Sequence, residues 1–419
     1  MTSIFSGKTA DDTPATVLRK LRVWGWRGAA SYLRIRAENA MNRRELLANA
    51  RRHRGVAPVR GVTVVAPLSL KYSNSKTVRD FAWALKAAGI PFQTFDTNRR
   101  PEVPLEDYGP ILTPKEDFVA TKYDHVVEMF KSPFPGGLVP HRARIAFWEG
   151  AGGMLDVFPY LAKPDPVIAM SDFNAEHFRR ELPATTPVFK IVYPLPLDVA
   201  GFDPPGEVRD RFGIPRDAFA VFYNFDLGSY FRKNPEAAVR SFAEAFRSEP
   251  RARLVLKLKW AAEHAGKVAR LEALAGALGV RDRLVLVRDY LSRRDLHGLA
   301  NACDCYFSPH RGEGFGIGIA EAMLMEKPVV ATDWSATTEF VRPEHSIPVP
   351  YRLVPVGPGE YFKMDAWADI DEPAATAALR RLFDDPALGA KLGRDARAFV
   401  LRHFSVDAVR RDVEAFLDA

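Results

Sequence analysis

Cysteine is scarce. Cys303 and Cys305 are the only two in 419 residues, and both sit in one apolar run, Cys303-Asp304-Cys305-Tyr306-Phe307. Alternation along a strand points them to the same face, where neighbours two apart are poorly placed to bridge. They read as buried thiols in a reducing compartment, which excludes a disulfide scaffold. A two-cysteine metal site needs further ligands, and none is nearby in the sequence. No apolar run approaches the ~20 residues of a membrane span. The N-terminus lacks a secretory signal pattern, so the expected location is the cytoplasm. Internal repeats and low-complexity tracts are missing too, which excludes solenoids and arrays.

Charge of one sign is absent from most of the chain. Residues 1–60 hold 13 Lys/Arg against 4 Asp/Glu, whereas the remainder holds 46 against 48. The overall +7 therefore belongs to a basic N-terminal arm, 1–60. The arm reads Leu21-Arg-Val-Trp-Gly-Trp-Arg-Gly and then Ser31-Tyr-Leu-Arg-Ile-Arg. Tryptophan beside arginine suits an anionic membrane surface, at the inner face of the membrane for a cytoplasmic protein. A basic helix packed on the body, or a loose tail, explains the same composition. No nucleic-acid-binding motif accompanies the charge, so no nucleic-acid partner is expected.

What is present is a regular α/β alternation. At about 100–200 residues per domain, this length predicts two or three domains. In the first half, Val62-Thr-Val-Val-Ala-Pro reads as a short buried strand. Residues 77–88 form a helix with Val78, Phe81, Ala82 and Leu85 on one face, and Gly89 ends it. The next strand is 90–95, completing a parallel crossover unit. Residues 144–148, 166–171 and 188–193 repeat the strand theme, and Pro194-Leu-Pro196 reads as a stiff linker. In the second half, strands are predicted at 219–225, 253–258, 283–287, 303–308 and 328–332. Helices are predicted at 235–246, 264–278, 292–300 and 318–325, and 374–419 is mostly helical. Such alternation argues for doubly wound parallel sheets. The predicted domains are thus the arm, 61–195, 196–395 and a C-terminal helix, 396–419, that packs back on the N-terminal domain.

The densest chemical signal is Ser308-Pro-His-Arg-Gly-Glu-Gly-Phe-Gly-Ile-Gly-Ile-Ala-Glu-Ala-Met. A strand ends, a glycine-rich loop follows, and a helix begins. Glycines let backbone approach a diphosphate, and free N–H groups at a helix start stabilise its charge. Glu313 and Glu321 bracket the loop. A carboxylate in the loop can lie against a sugar, and one inside the helix can accept from vicinal ribose hydroxyls.

These residues resemble the retaining glycosyltransferases of family 4, the group 1 glycosyl transferases, whose signature is E-G-F-G-x-P-x-x-E-A-M followed by G-x-P-V-V. Here the chain has Glu313-Gly-Phe-Gly-Ile-Gly-Ile-Ala-Glu-Ala-Met and then Lys327-Pro-Val-Val-Ala-Thr, with Gly318 in place of the proline. Phe225-Asp-Leu-Gly-Ser-Tyr-Phe-Arg-Lys-Asn-Pro and Tyr351-Arg-Leu-Val-Pro-Val-Gly are similar to the polysaccharide-biosynthesis subgroup. The resemblance covers 190–415 and is faint over 61–190.

The resemblance implies a GT-B fold: α/β, with two Rossmann-like domains facing a central cleft. It implies transfer of a hexose from a nucleotide-diphosphate sugar to a glycan or lipid-linked acceptor, with no cofactor and no metal. By position, Glu313 would face the transferred sugar and Glu321 the donor ribose. Gly314, Phe315 and Gly316 would offer N–H groups, and His310 would position the sugar or simply pack. Lys233, with Arg232 beside it, would neutralise the leaving diphosphate. The family often has an arginine five residues before that lysine. Gly228 stands there, so Lys257 is a candidate substitute. Tyr290 would flank the base or pack. Glu149 in Trp148-Glu149-Gly150 and His141 are acceptor-side candidates. The Asp-x-Asp pair Asp369-Ile-Asp371 precedes Pro373 and reads as a helix cap, not a metal site. Two other readings stay open: a phosphorylase or epimerase of the same fold, and a non-catalytic sugar-nucleotide-binding partner of a membrane assembly.

Overall fold

The computed structural model describes residues 14–71, 73–105, 108–129, 133–152, 154–157, 161, 165–195, 201–357 and 364–419. The chain divides into two compact units. One comprises Met1–Phe147, Gly153–Pro196 and Phe404–Ala419, and the other Trp148–Gly152 and Leu197–His403.

The first unit opens with a 39-residue helix, α1 (Pro14–Arg52). There follow β1 (Val59–Ala66), α2 (Ser73–Ala87), β2 (Phe92–Asp96), β3 (Tyr123–Met129), β4 (His141–Ile145), α3 (Met154–Val157), β5 (Val167–Ala169), α4 (Asp172–Glu181) and β6 (Val188–Lys190). The strands form one parallel sheet in the order β2-β1-β3-β4-β5-β6. Helices cover both faces of such a sheet, so its inner strands are apolar nearly throughout. In β1 every residue from Gly61 to Ala66 is buried.

Residues 1–13 of the basic arm lie outside the described residues, as do the side chains of Trp24 and Trp26. The last turns of α1 are part of the first unit's core. Leu46 and Ala50 pack with Val65, Phe118, Ala120, Val126 and Phe134. Asn49 donates to the Phe118 carbonyl at 2.8 Å and accepts from the Ala120 N–H at 2.8 Å. Pro196, the end of the predicted linker, is outside the described residues. No helix among the described residues is long and apolar enough to cross a membrane.

The second unit contains α5 (Pro205–Phe212), β7 (Phe219–Asp226), α6 (Tyr230–Lys233), α7 (Pro235–Ala245), β8 (Ala252–Lys259), α8 (Ala265–Ala277), β9 (Leu284–Val287), α9 (Arg293–Asn301), β10 (Cys305–Ser308), α10 (Ile317–Leu324) and β11 (Val329–Thr332). After these come β12 (Ile347–Val349), β13 (Tyr351–Pro355), β14 (Ala366–Ile370), α11 (Glu372–Asp384) and α12 (Pro386–His403). Its parallel sheet runs β12-β11-β10-β7-β8-β9, and β13 pairs antiparallel with β14. From β7 the chain winds outward through β8 and β9, then returns to build β10, β11 and β12 on the other side. This is the doubly wound order whose direction reverses between its first and fourth strands.

The chain re-enters the first unit at Phe404 with α13 (Val406–Leu417). Phe416 meets the rings of His125 and Phe189, each at 5.2 Å. Arg410 donates to the Ala88 carbonyl, and Asp412 accepts from the Val192 N–H at 2.8 Å.

Candidate functional site

In an open α/β sheet, ligands bind outside the carboxyl ends of the strands where the strand order reverses. In the second unit that place lies between β7 and β10. The turn after β7 carries the cations and the loop after β10 carries the carboxylate.

The turn after β7 is built by local chemistry. Asp226 accepts from the Gly228 N–H at 2.6 Å, starting a short 3-10 turn. The single-turn helix α6 then ends at Asn234, which adopts a left-handed conformation (φ 52°), and Pro235 opens α7. Asparagine tolerates that conformation, and proline suits the first turn of a helix. The Lys233 carbonyl accepts from the Tyr223 hydroxyl at 2.7 Å, and the Arg232 carbonyl accepts from the Arg311 N–H at 2.7 Å. The backbone carrying both cations is therefore tied to β7 on one side and to the glycine loop on the other.

Both side chains turn onto Glu313. Lys233 is hydrogen-bonded to Glu313 Oε1. Arg232 lies 3.3 Å from Oε2, donates to the Gly312 carbonyl at 2.6 Å, and sits 3.6 Å from Glu149. Arg232 and Glu313 are buried, and Lys233 is half-buried. Burial pushes the Glu313 carboxyl up, but Lys233, Arg232 and His310 together outweigh it and hold it at about 2. Burial likewise lowers Lys233, against the pull of Glu313. An ionised carboxylate and two cations thus share a water-poor corner, where fixed charges act most strongly.

Two glycines are required by geometry. A Cβ on Gly312 would lie 1.9 Å from the Glu149 carbonyl oxygen, so only glycine permits that approach. Gly316 caps α10 with φ 98°, a conformation that side chains rarely adopt. Beyond it, Ile319 and Ala320 donate to the Gly316 carbonyl at 3.0 and 3.1 Å, so Ile317 and Gly318 are the first-turn N–H groups without a carbonyl of the helix to meet. Gly314 is buried, and Phe315 is buried with its ring 5.1 Å from that of Phe340.

A second brace comes from the 3-10 turn Ser335–Glu339 after β11. Ser335 Oγ accepts from the Glu313 N–H at 2.8 Å, and Ser335 itself has φ 69°. His310 is fully buried, with Nδ1 3.0 Å from Ser308 Oγ and Nε2 3.2 Å from Thr337 Oγ1. Burial holds His310 down at about 4, so it is neutral at physiological pH. Nothing in the residue pattern of 333–339 marked this brace, because its contacts are made twenty or more residues away.

The other candidates fall in different places. Glu321 is buried in α10, with His297 Nε2 3.1 Å from its Oε1. The Tyr306 hydroxyl, pushed up by burial, also feels both Glu313 and Glu321. Lys257 is buried near the carboxyl end of β8, donates to the Leu258 carbonyl at 3.1 Å, and is lowered by burial to about 8. Its electrostatic neighbour is Asp289, not Glu313. Tyr290 is 44% exposed just beyond β9. His141 opens β4 in the first unit, stacked 4.5 Å from His125 at the amino ends of the strands.

Glu149 precedes β5 in sequence yet belongs to the second unit. Ala151 exchanges backbone hydrogen bonds with Ala366 and Asp365, at 3.1 and 2.9 Å. Asp371 caps α11, accepting from the Ala374 N–H at 2.9 Å, while Asp369 pairs with Arg311 at 3.0 Å.

Known proteins are similar to this chain. A family model described as "Glycosyl transferases group 1" matches residues 227–363. A D-inositol 3-phosphate glycosyltransferase of Xylanimonas cellulosilytica is 30% identical over 191 residues, 44% of each chain. A lipopolysaccharide core biosynthesis mannosyltransferase of Rhizobium leguminosarum bv. viciae is 26% identical over 251 residues, 59% of this chain and 62% of that one. The chain spans roughly half of the lengths of these relatives. The solved structure of Anabaena HepE in complex with UDP and glucose superposes with a TM-score of 0.61 at 17% identity, covering 86% of this chain and all of that one. Residues 227–363 are thus similar to the group 1 glycosyl transferases, and the chain shares with the solved structures the GT-B fold of two Rossmann-like units.

Proposed function

We propose that this chain moves a hexose from a nucleoside diphosphate sugar to a glycan or lipid-linked acceptor. The anomeric configuration is retained, no metal takes part, and the setting is surface polysaccharide synthesis at the inner face of the membrane. The observation that carries the reading is the convergence of Glu313, Lys233 and Arg232 beside the start of α10, at the strand-order reversal of the second unit.

Breaking a glycosyl–diphosphate bond builds negative charge on the leaving group and positive charge on the anomeric carbon. Lys233, Arg232 and the N–H groups of the loop and of α10 answer the first. Glu313, ionised at any physiological pH, answers the second or accepts hydrogen bonds from sugar hydroxyls. With its proton held near pH 2 it does not serve as a general acid. Glu321 receives the ribose. Lys257 and Tyr290, on the β8–β9 side, lie toward the base. The UDP and glucose of the HepE complex, and the core mannosyltransferase among the relatives, support a nucleotide-sugar donor and a polysaccharide setting.

Glu313→Ala tests the reading. Turnover, followed as release of UDP, GDP or ADP from the matching sugar nucleotides, falls at least ~100-fold. The free diphosphate still raises the melting temperature, because Lys233 and Arg232 remain. Unchanged turnover in this variant, or turnover that requires free phosphate, would refute it.

A further inference from the structure

Lys257 is a buried cation that the fold does not use. It is 8% exposed, and among the described residues its ammonium forms no ion pair. Its one hydrogen bond runs to the carbonyl of its own neighbour, Leu258, at 3.1 Å. An ammonium has three donors, so two of them meet no acceptor among the described residues. Burying a charge is costly unless it is paired and hydrogen-bonded. Its direction follows from the sheet. Lys257 is the register partner of Asn224 in β7, and parallel partners point to the same face. Asn224 lies on the face that α10 covers, since a Cβ on Gly318, in the first turn of α10, would meet Asn224 Oδ1 at 3.0 Å. Lys257 therefore stands on that side of the sheet, two strands from β10, or roughly 10 Å at ~4.8 Å per strand. One strand further, Val287 of β9 is its register partner, and Asp289 follows two residues beyond. Asp289 is exposed, no hydrogen bond or ion pair meets it among the described residues, and its charge bears on Lys257.

We propose that Lys257 and Asp289 select the base of the donor: the ammonium donates to a ring carbonyl and the carboxylate accepts from the ring N–H beside it, the lactam edge that uracil and guanine share. This rests on the reading of the second unit as a nucleotide-sugar site. A nucleotide whose diphosphate meets the start of α10 lays its base across β8 and β9, where these two groups stand. Adenine and cytosine present the opposite pattern, an amino donor beside a ring nitrogen acceptor. Either would set an N–H against the ammonium and a lone pair against the carboxylate. A polar group left without its partner on binding costs more than the contact itself is worth, so the pair rejects the wrong edge as well as holding the right one.

The test uses the full chain and free nucleotides. Calorimetry compares UDP, GDP and IDP with ADP and CDP, and inorganic pyrophosphate reports on the phosphate site alone. Either UDP, or GDP and IDP together, bind about tenfold or more tighter than ADP and CDP, and the arm that wins names the base. Lys257→Met keeps the stem and removes the donors. The favoured nucleotide then weakens about tenfold, while ADP and CDP stay within about twofold of wild type. Asp289→Asn, whose amide can turn a donor toward a ring nitrogen, lowers the same ratio from the other side by tightening ADP and CDP. Asp289 is exposed, so this variant carries the test where Lys257→Met does not fold. A wild-type protein that binds ADP or CDP best, or all five nucleotides within about threefold, would overturn the base assignment and leave the diphosphate site standing. Variants that weaken all five equally would mark merely structural residues and overturn it too, as would variants that leave the ratio intact. Binding of none of the five, nor of pyrophosphate, would overturn the donor-site reading on which the proposal rests.

Discussion

Replacing Lys233 by Met removes an ammonium and keeps most of its unbranched stem. Glu313 is then a buried carboxylate with one cation instead of two, since Arg232 remains at 3.3 Å. Its carboxyl is held at about 2 against an ordinary 4.5, which corresponds to about 3 kcal/mol favouring the ionised folded state. The pKa is depressed on folding, so this stabilisation is complete above the unfolded value near 4.5. It fades as pH falls toward 2. Taking away the larger of the two cationic influences forfeits most of it. A loss of about 2 kcal/mol at pH 7 is expected, below the 3–5 kcal/mol of a fully orphaned buried ion because Arg232 stays. Urea unfolding at pH 7 and at pH 3 measures it. The gap between wild type and variant narrows as pH falls below about 4.5, because Glu313 of the unfolded chain then takes up a proton and the wild type loses its larger share of the stabilisation on the way to 2. The double variant Lys233→Met/Glu313→Gln is less unstable than the two single losses summed, by about 1.5 kcal/mol or more. A variant as stable as wild type at pH 7, or a gap that does not change with pH, would refute the buried charge cluster.

Two further outcomes follow from the same geometry. Gly312→Ala drives a Cβ into the Glu149 carbonyl, so the loop must move. About 1–3 kcal/mol of stability and at least ~100-fold in turnover are lost together, and melting curves with initial rates check this. His310 is neutral in the folded chain down to about 4, while the unfolded chain takes up a proton near 6.5. Its contribution is therefore complete above 6.5 and is lost as pH falls through 4, by up to about 3 kcal/mol. His310→Gln removes that part of the pH dependence of unfolding, and an identical profile would contradict the burial described here.

Much of the second unit was legible because its signals are local. The run before Ser308 reads as a buried strand, and the glycines after it as a loop that opens a helix. Pro235 reads as the first turn of a helix, and Asp371, two residues before Pro373, reads as a cap. Each depends on backbone preference within a few residues. The first unit was less legible. Its β3 and the core-packed end of α1 carry weaker punctuation, and α1 gains its place through contacts far along the chain, Asn42 with Thr97 and Arg99 and Asn49 with Phe118 and Ala120.

From residue order alone came the alternation of strands and helices, the glycine loop, and the identities of Glu313, Glu321, Arg232 and Lys233 as a charged set. Only the tertiary structure decided which charges meet. It put two cations on Glu313, brought Glu321 near His297, and set Lys257 beside Asp289. It also carried Glu149 out of its sequence neighbourhood to Arg232. The reason is physical. Periodicity and turn chemistry act over one or two helical turns, whereas a buried ion chooses its partner from whatever the packed sheet brings within about 4 Å.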